Sequence, residues 1–218
     1  MTHLALSRVH FPVTSLGPGR RVGVWFQGCS IRCPGCVSLD TWAMRAPETA
    51  VATLLDGLQA IAPEADGLTV SGGEPFDQPE ALHALLLGWR TRHQGTVLVY
   101  SGYPYETLTP RLAVWNGLID ALITDPLRLD VPQTLPLRGS DNQRFHLFTE
   151  AGRSAFTNWD RPQPDAPPSL DVMVDAEAGT VYLAGIPRRG DMTRLAERLA
   201  AAGHRLAVTE DKSASACW

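Results

Sequence analysis

The sequence predicts an α/β fold in which parallel strands are joined by crossover helices. Short apolar runs rich in β-branched residues alternate with longer segments whose apolar residues recur every three or four positions. Turns rich in glycine or proline separate the two kinds of segment, as at Gly17-Pro18-Gly19 and Asp125-Pro126. This alternation is typical of parallel sheets, because a crossover helix must return the chain to the start of the next strand.

The predicted elements follow one another in a simple order. A weak alternation over residues 3–10 predicts an edge strand, and the β-branched and aromatic residues at 21–27 predict the first core strand. Further strands are predicted at residues 67–71, 97–100, 118–124 and 143–148, and helices at residues 47–61, 82–89 and 105–114. Residues 126–142, rich in proline, leucine and arginine, are expected to form a long loop at the active site.

The chain is expected to divide into a core, a linker and a small C-terminal appendage. The core covers residues 1–156, and the linker at residues 157–169 contains four prolines. The appendage at residues 170–218 combines a predicted β-hairpin with a helix capped by Asp191.

Composition excludes several classes of function. The formal net charge is -4, so there is no general electrostatic basis for binding nucleic acid. No apolar run approaches the roughly 20 residues needed to span a bilayer, and the N-terminus lacks the order of a signal peptide. Three of the four cysteines are clustered, which is not the pattern of a disulfide framework, so a reducing cytoplasmic location without membrane contact is expected.

The most informative stretch is the cysteine loop, in which Cys29, Cys33 and Cys36 have the spacing C-x3-C-x2-C. So tight a loop brings three thiolates to one side of the chain, where they can bind one metal centre. Disulfides between them are disfavoured, because the loops are too short and one thiol would be left over. Iron–sulfur clusters are held by cysteine thiolates, so the simplest interpretation is a four-iron cluster with one open iron. Cys217 lies far away and is expected to be a free thiol.

A structural zinc site completed by a histidine is the alternative for the cysteine loop. Such sites usually have a second short ligand cluster downstream, and the nearest downstream histidine is His83. The spacing therefore favours the iron–sulfur interpretation.

A second motif, Gly72-Gly73-Glu74-Pro75, follows the predicted strand at 67–71 directly. The carboxyl ends of parallel strands meet at one edge of the sheet, which is also where the cysteine loop is expected. Paired glycines allow close approach to the backbone and leave amide groups free to bind a ligand. Alone, the motif is equally compatible with an ordinary turn.

Together, the two motifs resemble the radical S-adenosylmethionine superfamily. The resemblance implies an incomplete parallel (β/α) barrel with a [4Fe-4S] cluster on the three cysteines, and S-adenosylmethionine bound to the open iron. Gly72, Gly73 and Glu74 would help to hold the methionine ammonium. Reductive cleavage of S-adenosylmethionine would yield a 5'-deoxyadenosyl radical that abstracts hydrogen from a substrate.

Other stretches resemble the glycyl-radical-enzyme activases within that superfamily. The residues Gly17-Pro18-Gly19-x-Arg21 and Cys33-Pro34-Gly35-Cys36 are similar to their N-terminal motif and cysteine loop, and residues 138–144 resemble an R-G-S-x-N-Q-R stretch of anaerobic ribonucleotide-reductase-activating proteins. The implied partners are a glycyl radical enzyme, such as an anaerobic ribonucleotide reductase, and a flavodoxin- or ferredoxin-like electron donor. The further cofactor-binding residues that the resemblance implies are Gly35, Ser101, Asp125, Asn142 and Arg144.

Several alternatives stay open at this point. Asp125 could simply cap a turn, and Asn142 and Arg144 could bind backbone groups of a loop. The chain could be a free-standing radical enzyme acting on a small molecule, as 7-carboxy-7-deazaguanine synthase does, or a non-catalytic iron–sulfur or zinc protein. The appendage exceeds the plan of the small reductase activases, so it is expected either to dock a protein partner or to seal an opening in the barrel.

Overall fold

The computed structural model describes residues 1–162, 170–175, 177 and 180–204, with the side chain of Asp175 excepted. Cys217, most of the proline-rich linker and most of the predicted hairpin turn lie outside the described residues. No helix in the described part of the chain is both long enough and apolar enough to span a membrane.

Strands and helices alternate along the described chain. In chain order they are β1 (His3–Leu4), β2 (Leu6–Val13), β3 (Arg21–Phe26), β4 (Thr49–Ala50), α1 (Val51–Leu58), β5 (Gly67–Gly72), α2 (Pro79–Arg90), β6 (Thr96–Tyr100), α3 (Tyr105–Val114), β7 (Ala121–Thr124), β8 (Arg144–Leu147), α4 (Glu150–Ala155), β9 (Asp171–Asp175), β10 (Thr180–Ala184) and α5 (Asp191–Ala201). The predicted strands and helices are confirmed with shifts at their ends, and α4 is an addition that the sequence pattern did not indicate.

The central sheet has six strands in the order β2-β3-β5-β6-β7-β8. The four inner strands are parallel, with β3 paired to β5, β5 to β6 and β6 to β7. The outer strands β2 and β8 are antiparallel to their neighbours. The antiparallel pairing of β8 follows from its connection, because the loop at residues 126–142 contains no helix that could carry the chain across the sheet. The fold is therefore mixed α/β with a mostly parallel central sheet.

One face of the sheet packs against helices and holds the larger part of the core. Leu54, Leu55 and Leu58 of α1 and the apolar side of α2 are buried there, which accounts for their spacing of three and four. The two helices approach closely at Gly88, where a Cβ atom would lie 2.2 Å from Leu55 Cδ1. A glycine inside α2 is therefore explained by helix packing.

The opposite face of the sheet is more polar at one end, where Arg21 is fully buried. Its guanidinium donates hydrogen bonds to Thr69 Oγ1 at 2.6 Å, to Leu68 O at 2.7 Å and to the Thr96 carbonyl at 2.8 Å. Burial lowers the pKa of Arg21 to about 10, since the charge is held mainly by carbonyl and hydroxyl groups. Arg21 thus ties β3, β5 and β6 together at their amino ends.

The C-terminal hairpin of β9 and β10 packs on this same face. Met173 and Ala184 are buried against Val13, Leu16 and Trp25. The hairpin predicted from the sequence is confirmed, and it covers part of the sheet that the helices leave free.

Hydrogen bonds fix the hairpin to the turn after β2. The Asp171 carboxylate accepts bonds from the backbone N–H and the hydroxyl of Thr14, at 2.8 and 2.7 Å. It accepts two more from the N–H and the hydroxyl of Ser15, at 2.9 and 2.6 Å. The start of the hairpin is therefore fixed to the chain between β2 and β3.

Arg189, after the hairpin, contacts the long loop at residues 126–142. Its guanidinium donates to the carbonyls of Leu129 at 2.8 Å and Arg128 at 3.0 Å, and also to the carbonyl of Val131. The side chain of Gln133 donates to Pro187 O at 3.1 Å. The C-terminal segment is therefore held to the loop as well as to the sheet.

Candidate active site

The two sequence motifs meet at the carboxyl edge of the sheet. Strands β3 and β5 are paired in register so that Phe26 lies beside Gly72. Gly73 N donates to Phe26 O and Glu74 N donates to Gly28 O, both at 2.8 Å. The chain entering the cysteine loop is thus bonded directly to the Gly-Gly-Glu turn, at the shared edge where the sequence predicted both motifs.

A cavity opens at this edge and collects most of the predicted site residues. Those that line it are Cys29, Cys33, Cys36, Gly72, Gly73, Glu74, Ser101 and Asp125. Gly35, Asn142 and Arg144 do not line it. The cavity also has walls from Trp42, Tyr100, Gln143 and Ile186, which the sequence reading did not select.

The three cysteines are unpaired thiols that face the same cavity. Burial raises the pKa of each thiol, while nearby backbone N–H groups act in the opposite direction. Two of these groups are Arg32 N, 3.5 Å from Cys29 Sγ, and Ser38 N, 3.4 Å from Cys36 Sγ. Backbone N–H groups directed at sulfur stabilise the thiolate, which is the form that binds metal.

The donor set fits an iron–sulfur cluster better than a single ion. Among the described residues, no three side chains of His, Cys, Asp or Glu come together as ligands of one metal ion. A zinc ion needs its sulfur ligands at about 2.3 Å from a common centre. A four-iron cluster binds each cysteine through a different iron, so its ligands stand further apart around one cavity. Three free cysteines that line one cavity supply the ligand chemistry of the second case.

Close contacts with the neighbouring backbone require glycine at both positions of the turn. Gly72 has a φ of +111°, and its Cβ atom would lie 2.4 Å from both N and O of Phe26. At Gly73 a Cβ atom would lie 2.0 Å from Gly28 O. The space into which a side chain would extend at either glycine is thus occupied by the chain leading into the cysteine loop.

Glu74 is a buried carboxylate between the turn after β5 and the turn after β6. Its Oε1 accepts bonds from Phe76 N and Ser101 Oγ, both at 2.9 Å, and its Oε2 accepts one from Gly102 N at 2.7 Å. Burial raises the pKa of Glu74 to about 7, and the negative charge of Asp77 adds to this, although the three hydrogen bonds act against it. Oε2 keeps a lone pair for one more donor, so a cationic ligand group could be held there.

The raised pKa of Glu74 predicts that the stability of the fold falls as the pH rises. A carboxyl group whose pKa is higher in the folded state than the ordinary 4.5 stabilises the fold at low pH, and this contribution is lost as pH rises towards 7. Between pH 5 and 8 the loss should be about 2–3 kcal/mol. Urea unfolding of the metal-free protein and of Glu74→Gln should show it: the advantage of the wild type over the variant should shrink by that amount. Parallel pH profiles for the two proteins would contradict the buried-carboxyl assignment.

A second carboxylate holds the start of the cysteine loop in place. Asp77 accepts bonds from Ser30 N at 2.7 Å, from Ser30 Oγ at 2.9 Å and from the Tyr103 hydroxyl at 2.7 Å. The residue after Cys29 is thus anchored to the turns that follow β5 and β6. Nothing in the sequence pattern singled out Asp77, because its partners lie 26 and 47 residues away.

Asp125 lies at the cavity, with Arg144 behind it. Asp125 has a φ of +80° and its carboxylate receives two bonds from the Arg144 guanidinium, at 2.7 and 3.0 Å. Arg144 also donates two bonds to Glu106, at 2.6 and 2.8 Å. These two pairings raise the pKa of Arg144, with the larger effect from Glu106. Arg144 therefore orients Asp125 and does not itself reach the cavity.

Asn142 and Gly35 serve the loops around the site. Asn142 Nδ2 donates to Pro126 O at 2.9 Å, which agrees with the alternative that it satisfies the backbone. Gly35 has a φ of +78°, and a Cβ atom there would lie 2.6 Å from Leu129 Cδ2. The structure thus gives both residues a role in shaping the loops, and neither contacts the cavity.

Tyr100 was missed although it ends β6 directly before Ser101. Its side chain lines the cavity, while its hydroxyl is buried and has no hydrogen-bond partner among the described residues. Burial raises the pKa of the hydroxyl, so it stays protonated. Its place at the carboxyl end of a predicted strand was the signal that could have identified it.

Comparison with known proteins agrees with the site. The chain matches the family model of the 4Fe-4S single cluster domain over residues 15–146. It is 36% identical over 165 residues to the pyruvate formate-lyase-activating enzyme of Clostridium pasteurianum, which covers 72% of this chain and 63% of that protein. It is 27% identical over 146 residues to the anaerobic ribonucleoside-triphosphate reductase-activating protein of Escherichia coli K12, covering 63% of this chain and 95% of that protein.

A third relative, the protein of the same name from Enterobacteria phage T4, is 29% identical over 139 residues, which are 62% of this chain and 88% of that protein. The chain spans less than two thirds of the clostridial enzyme but most of the two reductase-activating proteins. The family match covers well over half of the chain and contains both motifs and the cavity residues up to Gln143. This chain belongs to the 4Fe-4S single cluster domain family.

Proposed function

We propose that this chain is a radical S-adenosylmethionine activase that installs a glycyl radical on a partner enzyme of the anaerobic ribonucleotide reductase type. The observation that carries the proposal is the convergence of three free thiols, the Gly-Gly-Glu turn and Asp125 on one cavity inside the matched region. The names of the similar proteins, all of them activating proteins, support the same function.

Each group of residues has a defined task in this function. Cys29, Cys33 and Cys36 would hold the [4Fe-4S] cluster, and Glu74 with its partner Ser101 would hold the amino end of S-adenosylmethionine. When bound, cluster and cofactor together supply one-electron cleavage of the sulfonium and a 5'-deoxyadenosyl radical that removes hydrogen from the partner's glycine. The protein positions these groups and keeps water away from them.

We propose further that the sheet bends into an incomplete (β/α) barrel around this cavity. Support comes from Phe156, which follows α4 and contacts side chains of β3 and β8, two strands that are not neighbours in the sheet. Its ring lies 5.6 Å from the Arg21 guanidinium of β3 and 5.6 Å from the ring of Phe145 of β8. A ring that contacts side chains of both strands is consistent with a sheet that curves between them.

The proposed setting of the protein follows from its cluster. Free thiols that hold a cluster need a reducing compartment, so the cytoplasm is the proposed location. A flavodoxin- or ferredoxin-like protein is the proposed electron donor. We also propose that the chain consists of a core at residues 1–156, a linker at 157–169 and an appendage at 170–218.

The function is tested by looking for the radical on the partner. Anaerobically reconstituted protein, a reductant, S-adenosylmethionine and a co-encoded glycyl radical enzyme should give a glycyl radical doublet in electron paramagnetic resonance. A partner variant with alanine at the radical glycine should give no doublet, and the Cys33→Ala variant of this chain should give none with the normal partner.

A different outcome would favour a free-standing radical enzyme that acts on a small molecule. If no partner acquires a radical while a small metabolite is consumed in step with release of 5'-deoxyadenosine, the chain is a free-standing radical enzyme. If S-adenosylmethionine is not cleaved at all by the cluster-loaded protein, both radical functions are excluded.

A further inference from the structure

Trp42 presents an unsatisfied donor to the cysteine side of the cavity. Its indole nitrogen, Nε1, is buried and makes no hydrogen bond with the described residues. The side chain lines the cavity together with Cys29, Cys33 and Cys36. A buried N–H without a partner costs about 1–3 kcal/mol, so such a group in a native site calls for a bound partner or a functional reason.

Backbone hydrogen bonds hold Trp42 in this position. Cys29 N donates to Trp42 O at 3.3 Å, and Gly28 N donates to Thr41 O at 2.7 Å. The side chain of Gln27 donates to Ala43 O at 2.8 Å. The segment that carries the indole is therefore bonded to the chain that carries the first cysteine, and the two cannot move independently.

The Trp42 side chain lies close to the Cys36 sulfur at the cavity wall. A donor that favours negative charge on sulfur favours the more negative, reduced state of an iron–sulfur cluster in the same way. Hydrogen bonds to the sulfurs are one of the means by which a protein sets a cluster's potential.

We propose that Trp42 Nε1 donates a hydrogen bond to a sulfur of the bound cluster on the Cys36 side and thereby raises the cluster's reduction potential. Trp42 is a positioning and tuning residue, since it neither ligates iron nor touches the hydrogen that is transferred. The inference rests on the cluster of the proposed function, and it requires neither the partner protein nor S-adenosylmethionine.

A matched pair of variants separates the hydrogen bond from the packing of the ring. Trp42→Phe keeps an aromatic ring but removes the N–H. Trp89 also has a buried indole nitrogen without a partner, but it lies in the helix-side core and not at the cavity. Trp89→Phe is therefore the control for loss of an unpaired indole N–H elsewhere in the fold.

The test is a redox titration of the cluster-loaded proteins without S-adenosylmethionine, followed by the paramagnetic signal of the reduced cluster. At the potential where the wild type is half reduced, Trp42→Phe should show a ratio of reduced to oxidised cluster about tenfold lower. This corresponds to about 59 mV for a one-electron couple. Trp89→Phe should titrate with the wild type. An unchanged midpoint in a fully loaded Trp42→Phe protein overturns the proposal.

A second measurement uses the unaltered protein, in case Trp42→Phe fails to hold the cluster. Tryptophan labelled with ¹⁵N at the indole should give a nitrogen coupling to the reduced cluster in pulsed paramagnetic resonance, and Trp89→Phe should retain it. Absence of a coupling in the labelled wild type contradicts the proposal. Because neither experiment includes the partner, their failure would leave the glycyl-radical function to be judged by its own test.

Discussion

Replacing Cys33 by alanine is expected to abolish the iron–sulfur cluster. The wild-type protein should hold about four irons and four sulfides per chain after anaerobic reconstitution, as a cubane requires. With one of the three thiols gone, two ligands remain in a cavity whose burial already disfavours thiolates. Iron and sulfide analysis, together with the visible absorption of the cluster, should therefore show almost none bound. Cys29→Ala and Cys36→Ala should behave in the same way.

Cys217→Ala is the control, since it removes the remaining cysteine without changing the loop. This variant should bind the same amount of iron and sulfide as the wild type. Loss of the cluster in Cys217→Ala would mean that the fourth thiol completes the site and that no iron is open. Tight zinc binding by the wild type, without iron–sulfur absorption after reconstitution, would contradict the assignment as a whole.

Replacing Gly73 by alanine is expected to damage both the fold and the cluster. The added Cβ atom would lie 2.0 Å from Gly28 O, 2.6 Å from Gly28 C and 3.0 Å from Thr41 O. All three are backbone atoms, so the turn after β5 must move away from the cysteine loop. Because Glu74 N bonds to the same carbonyl, that hydrogen bond would be strained or lost. A cost on the order of 3 kcal/mol in the free energy of unfolding is expected, with poor cluster uptake.

Gly57→Ala provides the comparison for a glycine that no contact requires. Gly57 lies on the exposed side of α1, and a Cβ atom there would have no neighbour within 4 Å. Alanine should stabilise the helix by roughly 0.5–1 kcal/mol and leave cluster binding unchanged. Urea unfolding of both variants measures the change in stability, and iron analysis measures the change in cluster content. Normal stability with full cluster content in Gly73→Ala would show that the two turns can separate without harm.

Local patterns were sufficient to predict most elements of the fold. Two patterns depend only on neighbours a few positions away: the spacing of apolar residues in α1 and α2, and the β-branched runs of β3, β5 and β6. Both patterns can therefore be recognised directly in the sequence. The cysteine spacing and the Gly-Gly-Glu turn were identified for the same reason. Their meeting at one edge followed from the parallel order of the strands.

Features that depend on distant contacts were not predictable. The antiparallel direction of β8 is set by how the loop at residues 126–142 returns, and the loop's composition does not reveal its path. The burial of Glu74 depends on Ser101 and Gly102, on the next turn of the sheet. Arg144 was assigned to the cofactor because residues 138–144 resemble a stretch of the activases, whereas its pairing with Asp125 and Glu106 is visible only in three dimensions.

The contacts of Arg189 bear on the rates at which a ligand enters and leaves the cavity. Leu127 and Gly139 of the long loop, with Gln143 directly after it, form part of the cavity wall, and Arg189 holds three carbonyls of the same loop. Moving that wall outward would strain these three bonds, so they oppose opening of the cavity. A cavity wall that opens less readily lengthens the residence time of a bound ligand. A reactive species formed there would then meet its intended hydrogen donor more often than it meets solvent.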